Sequence, residues 1–317
     1  MSSKSILVTG GFGYLGGRLV QSLTMDNSAL VHIGTRSMRN EAQWAKRAKV
    51  VHMNYKDSDS LSRATEGIDS VVHLSTMGYS EAEMDPKQSL LDTGLNTLKL
   101  IEAAKKSGCE SFIYVSSSHV YGANLVGKVD ESVLPNPTTQ YGISHRLAED
   151  FVMRNSIDSS MRSVIFRLSN CFGAPAHPDI SQWHLFVNNL CKSIVQQGLM
   201  DIKSNAGQFR DFFPISDAVA AIKFAIFSDN RDCIRGLYNI GAGQSRSLIE
   251  MANLVGSRFQ MLTGNKISPQ TRSASSPASP YFEFCVDKIH STGFEMRCNF
   301  DIEIDDCLNF CSRVFEN

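Results

Sequence analysis

Ser117 and Tyr141 form the hydroxyl pair in this sequence best suited to proton transfer at a carbon-bound oxygen. Ser117 lies in Ser116-Ser117-Ser118-His119-Val120-Tyr121-Gly122, directly after an apolar run. Tyr141 opens Tyr141-Gly142-Ile143-Ser144-His145 after a turn rich in Pro, Asn and Thr. A phenol can exchange a proton with a substrate hydroxyl while hydride moves at the same carbon, and a neighbouring serine can hold that oxygen in place. A free tyrosine titrates at about 10. Work near neutrality therefore calls for a positive neighbour that favours the phenolate.

The hydride partner is signalled by Ser5-Ile6-Leu7-Val8-Thr9-Gly10-Gly11-Phe12-Gly13-Tyr14-Leu15-Gly16. A short apolar run ends at Thr9, three glycines follow at Gly10, Gly13 and Gly16, and a helical pattern begins. Without side chains the turn backbone can approach a ligand closely, and the first N–H groups of the helix point at it. The helix dipole adds to this phosphate cradle. Between a strand and a helix, such a triplet predicts a dinucleotide site.

The elements that position these residues alternate. Apolar runs at 29–33, 49–53, 68–74, 112–115, 163–168 and 237–240 read as strands. Helical patterns at 18–23, 60–66, 88–106 and 141–155 fall between them. In the third of these, Leu91, Leu95, Leu98 and Ile101 recur at spacings of three and four, near one face. Continuous rather than alternating apolar runs suit strands covered on both faces. The expected fold is α/β: a doubly wound parallel sheet of Rossmann type, with ligand at the carboxyl ends of its strands. Later segments at 184–197, 215–227, 248–255, 287–292 and 302–314 also read as helices, and the Ser/Pro-rich 268–280 as a loop. Ser247 and Glu250 form a capping-box pattern at the start of the third of these. The expected division is a dinucleotide-binding part at 1–168, partly rejoined by 211–245, and a smaller substrate-binding part at 169–210 and 246–317.

The 317 residues carry a net charge of −1 and no long basic run, so nucleic acid and anionic membrane are not expected partners. No apolar stretch reaches the length of a membrane span. The first strand begins at about Ser5 and leaves no room for a signal peptide, which predicts a cytoplasmic protein with reduced thiols. None of the eight cysteines forms a Cys-x-x-Cys pair or a Cys/His cluster with zinc spacing, so no metal is expected. Cys307 and Cys311, one helical turn apart, read as a shared buried face.

In order along the chain, the glycine loop, Val71-Val72-His73-Leu74, the serine run, Tyr141, Arg210-Asp211-Phe212 and Leu237-Tyr238-Asn239-Ile240-Gly241 resemble the extended short-chain dehydrogenases of the NAD-dependent epimerase/dehydratase family. The resemblance covers nearly the whole chain. It implies a nucleotide-sugar substrate, with Ser117 at the catalytic Ser/Thr position and Tyr141 at the catalytic tyrosine. It implies cofactor contacts at Gly10, Phe12, Gly13, Tyr14, Leu15 and Gly16, and at Leu74 and Ser75 after the fourth strand. The family motif is Tyr-x-x-x-Lys, and here His145 replaces the lysine. One helical turn keeps His145 on the same face, able to reach the nicotinamide ribose. A neutral imidazole supplies hydrogen bonds but little charge. The replacement leaves three readings: weaker activation, a compensating proton relay, or lost redox chemistry.

His119 stands where sugar 4,6-dehydratases carry an acid, so dehydration is not expected. In GDP-fucose-synthase-type enzymes that position is an acid/base cysteine, and a catalytic histidine falls close to His184. His119 and His184 are therefore candidates for proton exchange at carbon. At the end of the second strand, His32-Ile33-Gly34-Thr35-Arg36-Ser37-Met38-Arg39 contains no carboxylate. Arg36 can lie along a 2′-phosphate, with Ser37 and Arg39 adding donors, which favours NADP(H) and leaves NAD possible. Asn54 takes the place of the family's adenine-contacting Asp, with Tyr55 following. Arg210 matches the arginine that binds the sugar-nucleotide diphosphate, Asn170 follows the sixth strand, and Arg272 is a second phosphate candidate.

The leading expectation is NADPH-dependent reduction of a nucleotide-linked 4-keto-6-deoxy sugar, with or without epimerisation. The alternatives are an NAD-dependent nucleotide-sugar 4-epimerase and a non-catalytic regulator that binds the same ligands. The helices at 88–106 and 141–155 match those that pair across the family's dimer, so a homodimer is expected.

Overall fold

The computed structural model describes residues 3–25, 29–37, 43–123, 125–158, 160–180, 182–228, 234–271 and 279–315. Its strands are β1 (Lys4–Thr9), β2 (Ala29–Thr35), β3 (Lys49–His52), β4 (Ser70–His73), β5 (Ser111–Ser117), β6 (Gly127–Val129), β7 (Arg162–Leu168), β8 (Asn170–Phe172), β9 (Asp201–Ile202), β10 (Phe209–Pro214), β11 (Gly236–Ile240), β12 (Ser245–Ser247), β13 (Gln270–Thr271) and β14 (Phe282–Phe284). Its helices are α1 (Tyr14–Met25), α2 (Ser58–Thr65), α3 (Tyr79–Met84), α4 (Pro86–Ser89), α5 (Asn96–Lys106), α6 (Gln140–Asp158), α7 (Phe186–Gln197), α8 (Ile215–Phe227), α9 (Leu248–Thr263), α10 (Asp287–His290) and α11 (Phe300–Phe315).

Seven parallel strands form the main sheet in the order β11-β7-β5-β4-β1-β2-β3. Each of the seven apolar runs read as strands lies in it. The core strands β1, β4, β5 and β7 are buried along nearly their whole length, which is why they read as continuous apolar runs. Leu19, Val20 and Leu23 of α1 pack on one face with Ile222 and Ile226 of α8. Leu61 of α2, Leu100 of α5 and Val152 of α6 pack on the other. The chain order reverses at β1, which has β2 on one side and β4 on the other, and this creates a crevice at the carboxyl ends of those strands.

A third core lies under the later segments, where α11 packs on α7 and α9. The Ser247 capping box is present, with the Ser247 N–H and hydroxyl both 2.7 Å from Glu250 Oε2. The helix it opens runs to Thr263 rather than 255 and stops at Gly264, a left-handed residue with φ +77. Cys307 and Cys311 are buried as expected, and α7 adds Cys191 to them. The 268–280 loop holds β13, and its residues 272–278 are outside those described. Among the described residues, no helix is long and apolar enough to cross a membrane.

The structure corrects the single helix expected at 88–106. It is α4, a π-helical turn at Leu90–Leu95, and α5, and in the π turn the Asn96 N–H reaches back five residues to Leu91 O. One added residue shifts the helical register by about 100°. Leu91 and Leu95 are consequently exposed, while Ile101 is buried.

α6 is fastened to the sheet by a buried ion pair. Arg167 of β7 donates from Nε and Nη2 to the Glu149 carboxylate at 2.9 and 2.7 Å, with both side chains 1% exposed. The guanidinium also lies 4.5 Å from the centre of the Tyr121 ring.

Candidate active site

The glycine loop packs backbone on backbone. A Cβ at Gly16 would lie 2.1 Å from Gly10 O, and a Cβ at Gly10 would lie 2.8 Å from the carbonyl carbon of Leu74. Gly10 has φ +69, and its carbonyl accepts from the Gly13 N–H at 2.8 Å. This cradle fits the phosphates of a dinucleotide, with the first N–H groups of α1 at its edge. The Leu74 and Ser75 N–H groups donate to Thr9 Oγ1, each at 3.3 Å. Leu15 and Phe12 pack against the first core, and the Phe12 ring meets Trp44 edge-on at 6.0 Å. The Tyr14 side chain turns away from the loop. Its hydroxyl donates to Gly173 O at 2.8 Å and accepts from Asn188 Nδ2 at 3.1 Å.

At the far end of the crevice, Arg36 makes a contact that its own loop does not reveal. Its Nη1 donates to Asp92 Oδ2 at 2.7 Å, so a carboxylate from the π turn stands beside the loop that has none. Ser37 is exposed beside Thr35, and Arg39 is outside the described residues. Asn54 is exposed and accepts the Lys56 N–H at 3.0 Å. Tyr55 is buried, its phenol pushed up by burial and held by Thr9 and Ser75.

Ser117 and Tyr141 meet at the other end. Gly142 permits this approach, since a Cβ there would lie 2.6 Å from His119 O. Ser117 Oγ accepts the His119 N–H at 3.3 Å and starts the tight turn Ser118–Tyr121. Burial raises the Tyr141 phenol above its usual value, and a hydrogen bond with the Ser117 side chain opposes that rise. No cationic side chain among the described residues is close enough to lower it.

His145 supplies no cation. It is 2% exposed, and burial, followed by the nearby His119 and His73, pushes its imidazole down to about 3. Its ring lies 4.4 Å from that of Tyr141. Its Nδ1 is 2.7 Å from the Tyr114 hydroxyl, and its buried Nε2 has no partner among the described residues. His73 below it is also neutral at pH 7, pushed to about 3 by burial and held between Thr9 and Thr97 at 2.7 and 2.9 Å.

His119 is exposed over Tyr141, with ring centres 5.5 Å apart. Partial desolvation by the protein packed around its ring, then the Arg210 cation, lower its pKa, while Glu83 raises it. Two residues missed in the sequence complete this mouth, both from α3. The Tyr79 ring lies 5.4 Å from His119 and 5.8 Å from Tyr141, and Glu83 Oε1 accepts the Tyr141 N–H at 3.2 Å. Arg210 is thus close to His119, and it also donates to Gln208 at 3.2 Å. Asn170 donates to Asp211 O at 3.0 Å. His184 is exposed in the turn before α7, and no described hydrogen bond or ring contact joins it to Ser117, His119 or Tyr141. Arg272 is outside the described residues.

The two buried histidines have a consequence in acid. Both fold with values of about 3 and unfold towards about 6.5. Their contribution is complete above about pH 6.5 and falls as pH drops towards about 3, because the unfolded chain binds the protons first. Asp211 acts in the opposite sense, since burial raises it to about 7 in the folded chain. These three groups together take up about one proton on unfolding, a contribution that lowers stability by about 1.4 kcal/mol per pH unit between about pH 6 and pH 4.5. His145→Gln removes one of the two histidine protons and flattens this profile in urea titrations. An unchanged slope would show that His145 folds with an ordinary pKa.

A family model described as the NAD dependent epimerase/dehydratase family matches residues 6–241. A dTDP-D-glucose 4,6-dehydratase from Mus musculus is 25% identical over 334 residues, covering 99% of this chain and 90% of the relative. A GDP-6-deoxy-D-mannose reductase from Pseudomonas aeruginosa is 28% identical over 196 residues, covering 59% of this chain and 62% of the relative. The solved structure of a UDP-glucuronic acid 4-epimerase from Bacillus cereus, in complex with NAD, has a TM-score of 0.81 at 20% identity. It covers 98% of this chain and 97% of that one, and shows the shared fold.

Proposed function

Because the chain belongs to the NAD dependent epimerase/dehydratase family, an enzyme family of the extended short-chain dehydrogenase type, we propose that it reduces a nucleotide-linked 4-keto-6-deoxy sugar. The nicotinamide, when bound, supplies hydride to the carbonyl carbon. Tyr141 donates the proton to the carbonyl oxygen, and Ser117 hydrogen-bonds the same oxygen. The loop from Gly10 to Gly16 holds the dinucleotide phosphates, Arg210 takes the sugar-nucleotide diphosphate, and Asn170 and His119 contact the sugar nucleotide. His184 has no part in this reading, because no described contact brings it to His119.

The observation that carries the proposal is a tyrosine with an imidazole, and no cation among the described residues, beside its ring. Burial raises Tyr141, and the neutral His145 gives it no charge to lean on. A phenol that keeps its proton is a donor from the outset, which suits reduction. Oxidation of a hydroxyl needs the phenolate. The second reading, a nucleotide-sugar 4-epimerase, is favoured by the likeness to the Bacillus cereus 4-epimerase and begins with that oxidation.

The assay separates them. Purified protein is given a 4-keto-6-deoxy nucleotide sugar with NADH or NADPH, and separately UDP-glucose, with products followed by NMR. Consumption of the reduced dinucleotide with the keto sugar supports the reductase. Interconversion of UDP-glucose and UDP-galactose without added dinucleotide moves the assignment to the epimerase. Failure of both supports the regulator. A companion test is His145→Lys. A cation beside Tyr141 favours the phenolate, so the pH profile of the oxidative direction should move to lower pH. An unmoved profile would place another group in the proton transfer.

The proposed division of labour is 1–168 with 211–245 for the dinucleotide, and 169–210 with 246–317 for the sugar. We also propose a homodimer through the exposed apolar side chains Leu91, Leu95, Ile143 and Met153. Light scattering at micromolar concentration checks it, and a monomer there would refute it.

A further inference from the structure

We propose that Asp92 sets which dinucleotide the chain accepts, by holding Arg36 and turning the site towards NAD(H) and away from NADP(H). The proposal rests on the dinucleotide reading of the glycine loop.

Arg36 follows β2, and Asp92 lies in the π turn that follows β4. β1 stands between those two strands, so the ion pair passes over the carboxyl end of β1. Two strand spacings, about 9.6 Å, separate the strands whose following segments it joins. In open sheets of this kind, the crevice at that reversal point receives the dinucleotide.

The carboxylate is the fixed member of the pair. Asp92 Oδ1 accepts from Gln88 Nε2 at 2.9 Å and from Asn96 Nδ2 at 3.2 Å. Its side chain is 15% exposed, against 56% for Arg36. Arg36 can swing away, whereas Asp92 is anchored from both sides along its own helix.

The two dinucleotides differ at one substituent. A 2′-phosphate must draw Arg36 off Asp92 and then stand near a fixed carboxylate. A 2′-hydroxyl brings no charge, leaves the ion pair intact and can itself donate to a carboxylate. The loop's lack of a carboxylate favours NADP(H) when the sequence is read alone. Asp92, 56 residues further along, supplies the missing charge.

The test is fluorescence titration of the full chain with NADH and with NADPH. The proteins are wild type, Asp92→Asn, Arg36→Ala and the double variant, with circular dichroism and melting curves on each. Wild type should bind NADH more tightly. Asp92→Asn keeps the side-chain shape and removes the charge. It should improve NADPH relative to NADH by about tenfold, the scale of one charge-assisted hydrogen bond. The double variant should lose that gain. Arg36→Ala alone should leave the ratio within about threefold of wild type, because the guanidinium is already engaged. A tenfold relative loss of NADPH binding in that variant, of the same size, would mean that Arg36 serves the 2′-phosphate in wild type and would overturn the proposal. So would an unchanged ratio in a folded Asp92→Asn protein. Binding of neither dinucleotide by wild type would sink the dinucleotide reading itself, and this proposal with it.

Discussion

Tyr141→Phe should lower kcat by about a thousandfold and leave the fold intact. General acid–base catalysis by a positioned side chain contributes about 10²- to 10⁴-fold. The substitution removes one oxygen and keeps the ring. The ring supplies the contacts to His145, His119 and Tyr79, at 4.4, 5.5 and 5.8 Å. The pocket shape and KM should therefore change little, so the effect appears in kcat. Loss of less than about tenfold would mean that another group carries the proton. His119, already over the Tyr141 ring, would then be the group to replace next.

Arg167→Met should be the most destabilising single change near the site. It takes from the Glu149 carboxylate, 1% exposed, both of its short guanidinium hydrogen bonds and leaves it with the longer contact to Arg146 at 3.5 Å. Breaking a buried pair from one side costs about 3–5 kcal/mol. The change also removes the guanidinium from the face of Tyr121. Replacing both partners, Arg167→Met with Glu149→Leu, should recover most of the loss, since no charge is left buried. Urea titration of the three proteins checks this. If the double variant is no better than the single, the contribution lies in packing rather than charge. Because Glu149 is two turns from Tyr141 on α6, the single variant should also loosen the register of the helix that carries Tyr141.

The architecture was legible because its signals are local. The central strands β1, β4, β5 and β7 are continuous apolar runs, and burial on both faces leaves no alternation to confuse the pattern. The glycine loop was legible because only glycine can pack Gly10 against Leu74 and Gly16 against Gly10. Ser117 and Tyr141 were legible from their motifs. The π turn was not, since leucines at spacings of three and four satisfy an ordinary helix equally well. The Arg36–Asp92 pair was not, because it joins segments that only the sheet order brings together. Tyr114 was read simply as part of a strand, and nothing in an apolar run shows that its hydroxyl meets His145. Tyr79 and Glu83 lie on a six-residue helix too short to carry a period. The short strands β6, β8, β9, β12, β13 and β14 have the same defect.

The side chain of Tyr14 gives the glycine loop a second attachment. Its hydroxyl joins Gly173 O and Asn188 Nδ2, and Asn188 Oδ1 in turn accepts the Gly173 N–H at 3.0 Å. A loop that cradles one ligand is thereby stitched to α7, which belongs to the core of the later segments. If the loop holds a dinucleotide and the later segments a sugar nucleotide, ordering of either end restrains the other and the two ligands are thermodynamically linked. Whatever factor the dinucleotide lends to sugar-nucleotide affinity must be returned in equal measure. Such reciprocity is symmetric, so this small ring of hydrogen bonds would tie the two affinities together without choosing which ligand loads first.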